Sequence, residues 1–582
     1  MKVRPFYQVC LLLFVALGIY YPALFAGFNT IDDTRLITGI LNAGHFNWWQ
    51  SLKPGSSFYY RPLLIYTFYL DKRLWDLDPG FMHLGNMLLH AGNALLVFFI
   101  ARRVCVALFK VIGLLPLAAA LLFALHPINT ESVNWISGRT DLLGTFFVLS
   151  SLLLLIRCIE SRRWAWAVPA ALIFLAGVMS KEVVLFFLPA GCCLLWRWPA
   201  GDAGRSLTSL RILSMACFAS PFVIGVTAYG ISRFARFGTG DAGFNYVLSH
   251  YGYDPGETLR VMCKVFGFYV KKLFVPVPLN FAITNVYDAY VWLGLTTALA
   301  WVALIRLRRL AADFLVVSLA LIAPAVIIAL TKVAWTPLAE RYLYLPSAFW
   351  AVAVAVVVYQ AGLAIGRPAL LASVAAVMLA AAGWVTYERN LVWQSNLTLF
   401  EDTVRKSPDF PPARNELATA LLWAGRNEES MKQLALAEQC DTGIRLPHVH
   451  FNAVLGLIRG RDYHGARNAL AQLKNNTAKP SLRFLEQEAK VNEAMLRFFP
   501  EEDRRQQILV DLLAAYEQLM PQKPDPFLRY RAGQVALRLG DRAKALAYFA
   551  ESYRYAPDSA YYKPAALILL RKLSENEAPP RH

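Results

Sequence analysis

Eight cysteines in 582 residues are too few and too scattered to build on. No C-x-x-C pair stands at metal-ligand spacing, and no pattern suits a disulfide framework. Cys10, Cys105, Cys158, Cys192, Cys193, Cys217 and Cys263 lie in or beside apolar segments and Cys440 is isolated, so all read as small core residues. The nine histidines lack zinc-ligand spacing. No P-loop, GxGxxG or GxSxG motif stands in a fitting context, which removes the usual phosphate cradle of soluble nucleotide chemistry. Acidic residues are also scarce, 40 against 58 Lys and Arg, for a net charge of +18. In a soluble chain that excess would suggest nucleic acid as a partner.

This chain does not read as soluble. Hydrophobic residues make up 57% of it and the mean hydropathy is +0.40. The apolar residues come in blocks, among them Val111–Leu125, Leu142–Ile156, Val291–Ile305 and Ala348–Val358. A helix of about 20 mostly apolar residues crosses a bilayer, and several blocks reach that length with their flanks. The block Phe6–Phe25 follows Lys2 and Arg4 like a signal peptide, but Tyr20, Tyr21 and Pro22 occupy the place of a cleavage site, so it reads as a retained first span. Spans are expected near 6–26, 82–101, 112–126, 140–157, 164–180, 183–197, 210–231, 289–305, 312–331, 343–362 and 369–386.

The positive charge then serves topology rather than nucleic acid. Arg102, Arg103 and Lys110 share one loop, Arg162 and Arg163 another, Arg197, Arg205 and Arg211 a third, and Arg306, Arg308 and Arg309 a fourth. All fall on the cytoplasmic side with the N-terminus if 258–280, an apolar stretch broken by Lys264, Lys271, Lys272, Pro276 and Pro278, does not span. That gives eleven spans and puts the C-terminal region outside the cytoplasm. Two outside loops stand out: 27–81, long and rich in Trp, Tyr, Asp and Arg, and 232–257, rich in Gly and Tyr.

After Trp384 the texture changes to charged amphipathic helices. Gly533, Gly540, Ala545, Phe549 and Pro557 fall at the small, small, small, aromatic and proline positions of a tetratricopeptide unit. Phe400 and Pro408 repeat the last separation, Gly425 suits the next inter-helix turn, and a looser copy lies near 452–480. The expected architecture is all-α: a polytopic membrane helical bundle over 1–387, then a tetratricopeptide-like α-solenoid over 388–582. The solenoid is either purely structural or a concave surface that holds a polypeptide.

Chemistry is expected where charge sits at the outer ends of spans. Asp32 and Asp33 follow the first span; one can deprotonate a hydroxyl while the other positions it or binds a cation. Arg61 stands in Tyr60-Arg61-Pro62-Leu63, and Arg139 and Asp141 begin a span after His126-Pro127-Ile128-Asn129-Thr130-Glu131. Lys181-Glu182 occupies a short turn, and Glu340-Arg341 precedes Tyr342, Tyr344 and Pro346. Basic residues converging from separate turns suggest a phosphate or pyrophosphate site. The plainer account is local pairing: Lys181 with Glu182, Arg341 with Glu340, Arg139 with Asp141. His126 and Glu131 suit either a ligand or an acid–base role, although a lone His before Pro is more often structural.

Taken in order, these segments resemble the transmembrane and tetratricopeptide-repeat-containing family, relatives of the protein O-mannosyltransferases with the GT-C glycosyltransferase fold. The matching stretches are Asp32-Asp33, Tyr60 to Leu63, His83-Leu84-Gly85-Asn86-Met87-Leu88-Leu89-His90, His126 to Glu131 with Gly138 to Leu143, Ser180-Lys181-Glu182, and Ala339 to Ser347; Arg389-Asn390 with Trp393 resembles the junction into the repeats. The resemblance implies inverting transfer from a polyprenyl-phosphate sugar, often mannose, to a Ser or Thr hydroxyl of an acceptor polypeptide. It makes Asp32 or Asp33 the base and Arg139 the leading donor-phosphate ligand, with Arg61, Lys181 and Arg341 assisting. His126, Glu131, Asp141, Glu182, Glu340 and Tyr344 would support them.

The chain departs from the family in two ways: its repeat array is short beside the animal members, and its second acid is Asp where the mannosyltransferases have Glu. No cofactor is called for with certainty, and a divalent cation at the acids stays open. The alternatives are a non-enzymatic scaffold with partner-binding repeats, or a GT-C enzyme glycosylating a lipid or polysaccharide. The expected location is a bacterial inner membrane with repeats in the periplasm, or else an endoplasmic reticulum membrane, where Asn396-Leu397-Thr398 and Asn475-Asn476-Thr477 would be sequons.

Overall fold

The computed structural model describes residues 4–42, 47–53, 60–110, 113–199, 205–237, 254–284, 286–307, 309–331, 336, 338–439, 465, 482–498, 502–557 and 560–575. Most of the 232–257 loop, the looser repeat near 452–480 and Cys440 lie outside the described residues. Every regular element described is helical, with one isolated antiparallel bridge between Ile283 and Leu338. The chain divides into two compact units, Met1–Ser407 and Pro408–His582.

The first unit is a multi-pass membrane bundle. Among the described residues seven helices are long and apolar enough to cross: Pro79–Phe109, Ile136–Ser161, Thr208–Ile231, Ala289–Leu307, Leu310–Leu330, Glu340–Ile365 and Pro368–Val392. Shorter apolar helices occupy Pro5–Ile19, Leu115–Ala124 and Trp164–Val178. Burial sorts them. About 70% of the apolar window is inside the protein for Leu310–Leu330 (72%) and Ile136–Ser161 (67%), against 6% for Ala289–Leu307 and 11% for Pro368–Val392. In hydrocarbon an apolar face needs no protein cover, so the first pair forms the interior and the second faces lipid.

Local rules fix the ends. Asp78 caps Pro79–Phe109 by accepting the Phe81 N–H at 3.1 Å, with proline in the first turn where no amide is missed. Helix Tyr344–Ile365 stops at Gly366, whose φ of +72° suits glycine, and Pro368 starts the next helix. Pro255–Phe274, the segment expected not to span, is a helix packed along Ala289–Leu307. The two backbones touch at Gly267 and Gly294, where any Cβ would strike backbone atoms of the other helix. It is not one of the seven.

The division between the units falls after Ser407, later than the change in texture at 388. Helix Asn396–Lys406 stays with the bundle because Phe400 and Trp393 pack edge-on against Phe281, and Asn396 spends its amide on the first loop. Phe400 therefore serves the bundle's packing.

The second unit consists of helical hairpins, as a tetratricopeptide-like solenoid requires. Pro411–Trp423 pairs with Asn427–Gln439, Leu482–Phe498 with Glu502–Leu519, and Pro526–Arg538 with Arg542–Tyr555. Gly425 (φ +78°) and Gly540 (φ +82°) make the first and last of those turns. At Gly533 a Cβ would lie 2.8 Å from the fully buried Phe549 ring. The ring cannot retreat, so Gly533→Ala should destabilise this unit by about 1–3 kcal/mol through overpacking, opposed by under ~1 kcal/mol of helix propensity. Thermal unfolding of the purified protein checks this; an unchanged or raised midpoint for the repeat unit would contradict it.

Candidate functional site

The site is organised by one buried segment, 126–141. It folds as three short turns, Pro127–Asn129, Thr130–Asn134 and Ile136–Gly138, before the long helix Arg139–Ser161. Its backbone is tightly closed: a Cβ on Gly138 would sit 2.6 Å from the Ser132 carbonyl oxygen, so only glycine fits. Buried amides brace it. Asn129 donates to the Phe123 carbonyl (2.8 Å) and receives the Ser347 hydroxyl (3.1 Å), and Asn134 donates to Asn390 (2.7 Å).

From this segment four charged or polar side chains reach four different parts of the chain. Glu131 takes the Arg341 guanidinium on one oxygen and the Arg341 N–H on the other, the latter at 3.0 Å. Ser137 donates both its hydroxyl (2.6 Å) and its N–H (3.0 Å) to Asp33. Arg139 pairs with Asp71 at 2.5 Å, and Asp141 pairs with Lys181. Two further pairs complete the cluster: Arg61 grips Glu182 through two bonds (2.6 and 3.0 Å), and Lys272 meets Glu340 at 2.7 Å.

Local pairing is therefore overturned. Lys181 bonds to Asp141 rather than Glu182, Arg341 to Glu131 rather than Glu340, and Arg139 to Asp71 rather than Asp141. The backbone explains the exchange. Lys181 (φ −158°, ψ 133°) is extended just before Glu182 opens a short helical turn, and Glu340 and Arg341 are successive residues of another, Glu340–Leu343; adjacent residues in either setting do not face one another. Each doublet thus ties two separate segments.

The electrostatics follow from burial. Burial raises the Glu131 carboxyl, Arg341 opposes it, and Glu340 pushes the same way as burial. Burial lowers the Lys181 ammonium; Asp141 restores part, while Arg61 and Arg341 push it down further. The three cations therefore act on one another. Burial pushes Glu182 up, but the Arg61 guanidinium overrides it and holds the carboxyl at about 2.

Asp32 and Asp33 separate cleanly. Asp33 is 1% exposed; one oxygen takes Ser137 and the other the Asn29 N–H at 3.0 Å. Burial lifts its carboxyl to about 6, against the Ser137 and Asn29 hydrogen bonds. Burial thus favours protonated Asp33, a stability contribution complete below the ordinary carboxylate value and lost as pH rises through about 6. Asp32, one residue earlier, is exposed.

Three expected residues have structural surroundings. The Arg139 guanidinium is buried, with Asp71, Asn86 (2.9 Å) and the Met82 carbonyl (2.9 Å) around it and the Phe68 ring beneath. His126 donates from Nε2 to the Leu273 carbonyl (3.0 Å) and accepts the Ile128 N–H on Nδ1 (3.3 Å), and burial lowers it to about 4. The Tyr344 hydroxyl sits between His90 (2.7 Å) and Asn93 (3.2 Å). Asp71, Lys272 and Asn93 were missed by sequence reasoning. Asn86 and His90 lay in the quoted 83–90 stretch, the signal that could have found them. No group of three His, Cys, Asp or Glu side chains gathers to hold a metal among the described residues.

No family model matches the chain. Individual relatives do. It is 31% identical over 191 residues to the Drosophila melanogaster protein O-mannosyl-transferase Tmtc1, covering 31% of this chain and 22% of that one. It is 38% identical over 133 residues to Xenopus laevis protein O-mannosyl-transferase tmtc2, covering 22% and 15%. With human protein O-mannosyl-transferase TMTC2 the identity is 31% over 199 residues, covering 31% and 21%. The matches span about a fifth of the relatives' length. The resemblance read from the sequence, to the transmembrane and tetratricopeptide-repeat mannosyltransferases, is borne out.

Proposed function

We propose that this chain is a membrane glycosyltransferase of the GT-C class that moves a sugar from a polyprenyl-phosphate donor to a Ser or Thr hydroxyl of a polypeptide. The observation that carries the reading is the clustering of Arg61, Lys181 and Arg341 around the segment 131–141, which also holds the buried Asp33 next to an exposed Asp32, in a chain whose relatives are named protein O-mannosyl-transferases. Asp32 accepts the acceptor's proton as its oxygen attacks the anomeric carbon from the face opposite the phosphate, inverting it. The partly exposed Arg61 and Arg341, with Lys181, stabilise the charge that develops on the departing polyprenyl phosphate. Arg139, sealed by protein partners, positions the segment instead.

The outer face is supported by charge: Arg102 and Arg103 lie toward the far end of helix Pro79–Phe109, and Arg162 and Arg163 follow the far end of Arg139–Ser161, which the positive-inside bias makes the cytoplasmic end. Lys181 and Arg341 both bond to the 131–141 segment, so they lie at one end of the bundle. The preferred location is a bacterial inner membrane with periplasmic repeats that hold the acceptor.

The test is donor dependence. Membranes containing the protein should label an acceptor peptide from polyprenyl-phosphate mannose and not from a nucleotide-linked sugar; the reverse preference would sink the reading. The scaffold alternative expects loss of partner recruitment on removing 408–582 and no effect of Asp32→Asn.

A pH dependence follows. Ionised Asp33 holds the catalytic turn through its three hydrogen bonds, so activity should fall as pH drops through about 6. Ser137→Ala removes a bond that favours the carboxylate and should move this limb to higher pH. A pH–rate profile reads it directly, and an unmoved or lowered limb counts against the role of Asp33.

A further inference from the structure

Asp141 differs from Asp33, Asp71 and Glu131. Asp33, Asp71 and Glu131 each engage both oxygens: Asp33 with Ser137 and Asn29, Asp71 with Arg139 and Trp75, Glu131 with Arg341 twice. Asp141 gives one oxygen to Lys181, and its Oδ2 is the one buried carboxylate oxygen among the described residues with no hydrogen-bond partner. A buried acceptor left so is costly, and the surrounding fold has not relaxed to supply a donor. One turn further along the same helix face, the Thr145 hydroxyl is 1% exposed and also has no partner. Gly144 lies beside them. A Cβ there would come within 3.0 Å of Val184, so the glycine lets the 181–184 turn approach the helix closely enough for Lys181 to reach Asp141.

These features make an acceptor site beside the three cations. A carboxylate oxygen only accepts, so its complement is a hydroxyl rather than a phosphate oxygen. The Lys181 ammonium uses one of its three donors on Asp141, leaving it able to serve phosphate on another side. A group carrying phosphate and hydroxyls a few bonds apart matches both, which is the donor of the proposed reaction and on which this inference rests.

We propose that Asp141 is a specificity-determining residue whose Oδ2 receives one hydroxyl of the sugar on the donor, while Lys181 holds its other oxygen in place. A sugar lacking that hydroxyl leaves the oxygen unpaired in the bound state. A sugar with the hydroxyl turned to the other face meets the same loss.

The experiment compares polyprenyl-phosphate mannose with its 2-, 3-, 4- and 6-deoxy counterparts on the full-length wild type. One deoxy donor should lose on the order of 10- to 100-fold in kcat/KM, the range of a hydrogen bond to a charged group. In Asp141→Asn the parent donor should fall toward that level and the discrimination between the two should largely disappear. A flat wild-type profile, or full discrimination kept in Asp141→Asn, overturns the inference while leaving the transfer reading standing. A change confined to acceptor-peptide preference overturns it as well. Absence of transfer from every polyprenyl-phosphate sugar overturns the reading beneath and the inference with it. Should Asp141→Asn fail to fold because Lys181 loses its partner, the wild-type profile and Asp141→Glu decide: a displaced oxygen should alter which deoxy donor is penalised, and an unaltered profile contradicts the assignment.

Discussion

Asp32→Asn should reduce transfer by on the order of 10²- to 10⁴-fold, the usual worth of a positioned general base, while leaving donor affinity and folding intact. The expectation rests on exposure. Asp32 is exposed, whereas Asp33 is sealed with both oxygens occupied. Asn is nearly isosteric and cannot take a proton, so the loss should appear in kcat with KM for the donor little changed. Asp33→Asn should behave differently. It turns an acceptor that receives three donors into a group that can repel one of them, so thermal stability should fall along with activity. Steady-state kinetics beside a melting curve for both variants separates the roles. A fully active, stable Asp32→Asn together with a stable but dead Asp33→Asn would exchange the assignments.

The second large effect concerns Arg139. The resemblance makes this residue the leading phosphate ligand, yet its guanidinium lies 3% exposed against an Asp71 side chain that is 7% exposed. Removing one member of a buried pair strands the other charge, at a cost of about 3–5 kcal/mol. Arg139→Ala should therefore lower the unfolding midpoint of the detergent-solubilised protein sharply. Replacing both members with apolar residues of similar volume, Arg139→Met with Asp71→Leu, should recover most of it. A phosphate ligand gives another pattern: normal stability, a raised KM for the donor, and no rescue through Asp71. That outcome would return Arg139 to the binding site.

These two cases show what the sequence carries. The spans are legible because about 20 apolar residues in a row have few other uses, and each expected span contains a helix. The helical hairpins are legible for a similar reason: Gly533 stands where the Phe549 ring fills the space a side chain would take. Pairing among charges is not legible. Lys181 and Glu182 are adjacent in sequence, but extended backbone sends them to Asp141 and Arg61, 40 and 121 residues away. Asp71 and Lys272 gave no local sign because their roles exist only once distant segments meet. The acid pair at 32–33 is legible as a candidate, while the difference between its members, one exposed and one buried, depends on the 137 turn folding against Asp33.

The central claim is that polyprenyl-phosphate sugar reaches a polypeptide hydroxyl through Asp32 and the Arg61, Lys181 and Arg341 cluster. The most direct measurement reconstitutes the purified protein in liposomes with polyprenyl-phosphate mannose and a library of Ser- and Thr-containing peptides, read by peptide mass. The account predicts single hexose additions on Ser or Thr with the wild type and none above background with a folded Asp32→Asn protein. Equal modification by both proteins would contradict it, as would a wild type that modifies no peptide while transferring the sugar to lipid or polysaccharide.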